Sequence, residues 1–117
     1  GLASGAADLA TCRVTQMALF RLVTNPAVVE RDALTRRQAW DLVERLMTDP
    51  RVVFLTEPDG LVPIWVTFSK RDDRSHLLWT DDYLAAFAHA ANVEFVTFDG
   101  GFRTRYPSVR VRCLSRR

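Results

Sequence analysis

Two acids define the chemistry that this sequence can attempt. Asp81 follows Thr80 at the mouth of a helical pattern, and Asp99 ends an alternating apolar run, Val93–Phe98. A helix followed by a strand can bring the two side by side at one edge of a parallel sheet. Two carboxylates there suit a hard divalent cation such as Mg²⁺ or Mn²⁺. Each acid also has a purely structural reading. Asp81 and its neighbour Asp82 would interact favourably with the helix macrodipole, by roughly 0.3–1 kcal/mol. Asp99-Gly100 is a common turn dipeptide. Asp81 is the better placed of the adjacent pair because it directly follows the cap. Asp99 gains weight from its place beyond a strand's carboxyl end, where ligand-binding groups gather in open α/β sheets.

The elements that must position these acids are readable around them. Thr80 is the expected N-cap of a helix over Asp81–Ala91, and Val93–Phe98 the strand that follows. Upstream, Thr35 with Gln38 three residues later makes a capping box. The helix it starts carries Ala39, Trp40, Val43, Leu46 and Met47 on one stripe. Arg51–Thr56 is a continuous apolar run of strand length, suited to burial on both faces. Leu61–Lys70 is expected to be helical, with Pro63 tolerated in its first turn. Lys70–His76 is a polar loop. Thr11–Thr15 is expected as a short strand and Gln16–Thr24 as a helix ended by Asn25-Pro26. Val109–Leu114 is the last expected strand. Gly1–Ala10 is weakly patterned, either a helix end or a frayed start. Alternating strands and helices with short connections imply an α/β sandwich with a mostly parallel sheet.

Composition narrows the class further. The chain has 117 residues, 48% hydrophobic and 26% charged, the size of one domain over residues 1–117. A net charge of +2 is too small to mark a nucleic-acid binder. Six arginines follow Gly101 with no acid among them (Arg103, Arg105, Arg110, Arg112, Arg116 and Arg117). A one-sided basic end fits a polyanionic partner, or a solvated tail. Cys12 and Cys113 have no metal-ligand spacing and read as reduced, buried small hydrophobes of a cytoplasmic protein. His76 and His89 share no ligand spacing either. Trp40, Trp65 and Trp79 fall in separate elements and read as core or interface residues. No dinucleotide or Walker pattern is present. The first ten residues do not read as a signal peptide, and no run reaches transmembrane length.

Two stretches carry a family resemblance. Thr80–Ala88 reads T-D-x-Y-L-A-A-x-A, and Val96–Phe102 reads x-T-F-D-x-x-F. Both resemble the third and fourth motifs of PIN-domain nucleases of the VapC toxin family. Thr11–Pro26 is similar to the T-x-x-x-T-Q-x-x-x-x-R-L-x-T-N-P segment of one VapC subfamily. The resemblance implies a PIN-like three-layer sandwich and a metal-dependent endoribonuclease using Mg²⁺ or Mn²⁺. By the same resemblance Asp81 and Asp99 are the metal ligands, and Thr97 orients the site through its hydroxyl. Arg103 and Arg105 are the expected RNA contacts. A VapB-like antitoxin is the implied partner, and a homodimer the implied assembly.

The sequence departs from the family at two places. The glutamate of the usual E-x-x-R pattern falls on Ala18, with Gln16 the nearest neutral oxygen donor. The family's first motif, a central strand ending D-x-N/S-x-L, is missing: Asp8 is the one acid upstream and its surroundings do not match. The resemblance therefore spans 11–114 of an N-terminally incomplete domain, either a fragment or one whose strand comes from another chain. A gap or rearranged sheet is expected. So is association through Met17, Phe20, Leu22 and Trp40. A catalytically inactive PIN-like fragment that binds protein or RNA is the alternative reading.

Overall fold

The computed structural model describes residues 2–4, 8–97 and 99–114. Phe98, Arg116 and Arg117 lie outside the described residues. Five strands form one sheet: β1 Leu2–Ser4, β2 Asp8–Thr11, β3 Val52–Phe54, β4 Glu94–Thr97 and β5 Val111–Cys113, in the order β3-β2-β1-β4-β5. The helices are α1 Arg13–Val23, α2 Pro26–Val29, α3 Arg36–Thr48, α4 Leu61–Ser69, α5 Trp79–Ala91 and α6 Gly101–Arg105. A 3₁₀ turn, Glu30–Asp32, follows α2.

The middle of the sheet is filled, and not as the family pattern has it. β1 runs antiparallel to both β2 and β4, pairing Leu2 with Ala10 and with Phe95. The outer pairings, β2 with β3 and β4 with β5, are parallel. Leu2–Ser4 and Asp8–Thr11 are thus strands, where the sequence reads as a helix end or a frayed start. The pairing satisfies backbone groups that an empty central position would leave without partners.

The strand expected at Thr11–Thr15 ends at Thr11, and helix begins at Arg13. Thr15 explains the shift. The Cys12 backbone N–H donates to the Thr15 hydroxyl oxygen at 2.9 Å, and that hydroxyl lies 2.7 Å from the Thr11 hydroxyl. A side chain that reaches back this way closes a helical turn. The Thr35–Gln38 box forms as expected: each residue's backbone N–H donates to the other's side chain, at 2.9 and 3.1 Å. α5 starts earlier than expected. Leu78 is its N-cap and Thr80 lies inside the first turn. Asn92, at φ 56°, ends it. Gly60 precedes α4 at φ +81°, a conformation that glycine adopts without strain. β3 is an edge strand with Val53 exposed, so its apolar run is not covered on both faces.

The core joins α4, α5 and α6 to the sheet. Tyr106, Phe87, Phe102 and Leu61 are its largest fully buried side chains. Phe95 of β4 stacks on Phe102 of α6 at 4.3 Å between ring centroids, and Phe102 meets Tyr106 at 4.6 Å. Burying such a ring stabilises by about 1.5–3 kcal/mol. These contacts fix α6 against β4, and α6 carries one of the residues of the site. Cys12 is buried as expected, but Cys113 is exposed because β5 is the other sheet edge.

Candidate active site

Asp81 stands in the first turn of α5, and Asp99 two residues beyond the end of β4. One guanidinium nitrogen joins them. Arg105 Nη2 donates to Asp99 Oδ2 at 2.9 Å and to Asp81 Oδ2 at 3.2 Å. The helix–strand–helix order thus converges three charged side chains from α5, the β4 exit and α6. Thr97 and Gly101 set the Asp99 turn. The Asp99 backbone N–H donates to Thr97 Oγ1 at 3.0 Å, and the Gly101 N–H donates to Asp99 Oδ1 at 2.9 Å. A Cβ at Gly101 would lie 3.1 Å from Arg105 Nη1 and 3.3 Å from Asp99 Oδ1. A larger residue there would make the guanidinium or the carboxylate give by a few tenths of an ångström.

The two carboxylates differ electrostatically. Burial pushes Asp81 above the usual carboxylate range, with Arg105 opposing and the charges of Asp99 and Asp82 adding to the rise. Asp99 is held below that range, first by the hydrogen bond from Arg105 and then by the Gly101 N–H. Asp82, the neighbour, points elsewhere. It is buried and accepts a hydrogen bond from the Tyr106 hydroxyl. Burial and Asp82 together push that hydroxyl's pKa up. The Asp82–Tyr106 pair ties α5 to the chain after α6, and no sequence signal marks it, since the partners lie 24 residues apart.

The structure therefore brings together Asp81, Asp99, Thr97 and Arg105. Arg103 faces another way: its Nη2 donates to the Val111 carbonyl at 3.0 Å. Arg110 is bonded to Asn92 and Arg112 is paired with Glu94. The described arginines after Gly101 are thus tied to the fold and do not form a free basic tail. Gln16 is buried, accepts from Arg13 and donates to the Met47 sulfur, so it packs α1 against α3. His89 meets the Ser108 carbonyl, a structural contact.

Carboxylate oxygens are hard donors, and the pair already holds one cation, the Arg105 guanidinium. In donor chemistry the pair fits Mg²⁺ or Mn²⁺. Among the described residues no group of three or more His, Cys, Asp or Glu could hold a metal ion, so water would have to complete the coordination.

The PIN-domain family pattern matches residues 2–106. The chain belongs to the PIN-domain family. Two relatives in Mycobacterium tuberculosis, from strains CDC 1551 / Oshkosh and ATCC 25618 / H37Rv, are both named Ribonuclease VapC41. Each is 39% identical over 109 residues, which cover 90% of this chain and 74% of the relative. This PIN domain is of the VapC type, as its Thr80–Ala88 and Val96–Phe102 motifs imply. The match begins at residue 2, so it takes in β1 and β2, ahead of the motif-bearing span from residue 11.

Proposed function

We propose that this VapC-type PIN domain is a metal-dependent endoribonuclease that cleaves RNA by phosphodiester hydrolysis. The observation that carries the reading is the Asp81–Asp99 pair gathered on one guanidinium nitrogen. Asp81 and Asp99 are the residues that would hold Mg²⁺ or Mn²⁺. Bound there, such an ion supplies Lewis acidity, making water a stronger nucleophile and offsetting charge that builds on the phosphate.

The chain's own residues do the rest. Thr97 and Gly101 fix the Asp99 carboxylate in place. Arg105 balances the two like charges and has further N–H donors for a phosphate drawn to the pair. Arg103, turned from the pair onto the Val111 carbonyl, would meet a phosphate only further along the RNA strand, through donors not used on Val111. The RNase named for the M. tuberculosis relatives supports this reading. By the same kinship a VapB-like antitoxin is the partner, the chain is a homodimer, and it acts in the cytoplasm. No helix among the described residues is long and apolar enough to cross a membrane.

A second reading has one observation in its favour. With two acids at the pair and no group of three among the described residues, the domain would bind RNA or protein without catalysis. Cleavage of RNA in Mn²⁺ separates the readings. Wild type is expected to cleave, and Asp81→Asn and Asp99→Asn each to lose about 10²-fold or more. Equal cleavage by all three would sink the enzyme reading. Calorimetric titration with Mn²⁺ gives a second view: no detectable binding supports the non-catalytic module.

A further inference from the structure

Beside the acid pair lies a cleft of about 400 Å³, within the range of pockets that hold a nucleotide-sized group. Its walls include Arg71, Arg74, His76, Trp79, Arg105 and Tyr106. We propose that this cleft binds an unpaired nucleotide of the RNA strand, next to the phosphate being cut. The inference rests on the ribonuclease reading above and adds where the strand lies and in what form.

Three observations support it. The first is continuity. Arg105 is both a wall of the cleft and the residue that grips Asp81 and Asp99. A strand with one phosphate at the acid pair would therefore have its neighbouring nucleotide in reach of the cleft.

The second is a pair of arginines on a held loop that make no ion pair among the described residues. Arg71 Nε donates to the Phe68 carbonyl at 2.9 Å, which anchors the side chain while its terminal nitrogens make no ion pair among the described residues. Arg74 is exposed and makes no hydrogen bond or ion pair among them. The cleft's acids are turned to neutral donors and not to these arginines: Asp73 accepts from the Ser75 N–H at 3.0 Å, and Asp82 accepts from Tyr106. The loop is further tied by Leu77 N–H donating to Ser75 Oγ. Arginines without acid partners beside a catalytic pair suit phosphate.

The third is an aromatic face. Trp79 opens α5 and is 56% exposed, although an indole is ordinarily covered. A base stacks on such a ring only when it is unpaired. Base–aromatic stacking together with arginine is the usual basis of single-strand binding.

The test is binding in EDTA, where cleavage is not read. A fluorescein-labelled single-stranded decaribonucleotide is titrated with the protein and followed by anisotropy at several salt concentrations. Trp79→Ala is expected to weaken binding about tenfold, and Trp79→Phe to restore most of it. The double variant Arg71→Gln/Arg74→Gln is expected to flatten the salt slope by about 1.4, for two lost phosphate contacts. Arg74→Gln alone, which breaks no described contact, should remove about half of that. The corresponding duplex should compete poorly. Unchanged affinity and slope in Arg74→Gln and Trp79→Ala would overturn the proposal, as would a duplex that binds equally well. It also falls if these variants leave RNA binding intact and instead weaken binding of the antitoxin. Set beside the Mn²⁺ cleavage assay, the two readings fail separately: RNA bound through the cleft in EDTA but not cleaved in Mn²⁺ would count against the enzyme reading alone. Metal-dependent cleavage with no effect of the cleft variants would count against the cleft alone.

Discussion

At the scale of single residues, the acid pair separates function from stability. Asp99 has a lowered pKa, so its charge favours the fold. That contribution is present above the unfolded value of about 3.9 and is lost as pH falls through the folded value. Asp81 has a raised pKa, so its charged form works against the fold as pH rises through the window just above the ordinary carboxylate value. In EDTA at neutral pH, Asp81→Asn should therefore raise the melting temperature, while Asp99→Asn lowers it. The difference between the variants should shrink as pH is lowered towards 3. Thermal melts across pH read this directly, and the opposite order would show that the charges are not arranged as described. Arg105 gives a second residue-scale outcome. It competes with any other cation for the pair, so Arg105→Gln should tighten Mn²⁺ binding, by about tenfold or more for a unit charge removed a few ångströms away. Cleavage should fall in the same variant, because the phosphate loses a donor. Calorimetry that finds Mn²⁺ binding weakened would mean that Arg105 supports the metal site.

At the scale of elements, α3 and α6 carry opposite lessons. The α3 capping box is local and was legible in the sequence, as Thr35 followed by Gln38. Thr35→Ala should cost about 1 kcal/mol and lower the melting temperature by about 4 °C, with cleavage per folded molecule unchanged. α6 is a five-residue helix without a periodic pattern, held by Phe102 against Phe95 and Tyr106. Phe102→Ala should cost about 3–5 kcal/mol and, unlike the α3 change, also lower cleavage, because α6 aims Arg105. Circular dichroism melts and initial rates together would distinguish the two. The same contrast explains what the sequence disclosed. Asp81, Asp99 and Thr97 were legible because each sits in a local motif. β1 and β2 were not: strands of three and four residues offer too few alternations to show a period. Thr80 before two acids is a cap signal, yet α5 starts two residues earlier, at Trp79, with no side-chain cap at Leu78. Gly101 and the Asp82–Tyr106 pair act through space, so only the folded chain displays them.

At the scale of the whole molecule, the proposed dimer needs a surface on which a second copy could sit. The sheet edges are poor candidates. β3 and β5 have three residues each, and charge lies on or beside them, with Arg51 paired to Asp49 and Arg112 to Glu94. Short, charged edges resist strand addition, and the central position is filled by β1. The helical side is different. Met17 and Leu22 of α1, Val28 of α2 and Trp40 of α3 are each 45–56% exposed. Phe20 packs on Trp40 at 4.6 Å between ring centroids, so the exposed indole is held and not free to fold away. Apolar patches of this kind mark association surfaces, and a two-fold dimer is the default symmetry. We expect wild type to scatter light as a dimer, with twice the 13.3 kDa mass of the chain, at tens of micromolar. Trp40→Glu should shift it to monomer. The position is already half in water, and the loss within one chain is mainly the Phe20 ring contact, about 0.5–1.5 kcal/mol, so the melting temperature extrapolated to low concentration should fall by only several degrees. A wild type that stays monomeric at that concentration would show that the α1–α3 face is covered by something other than a second copy.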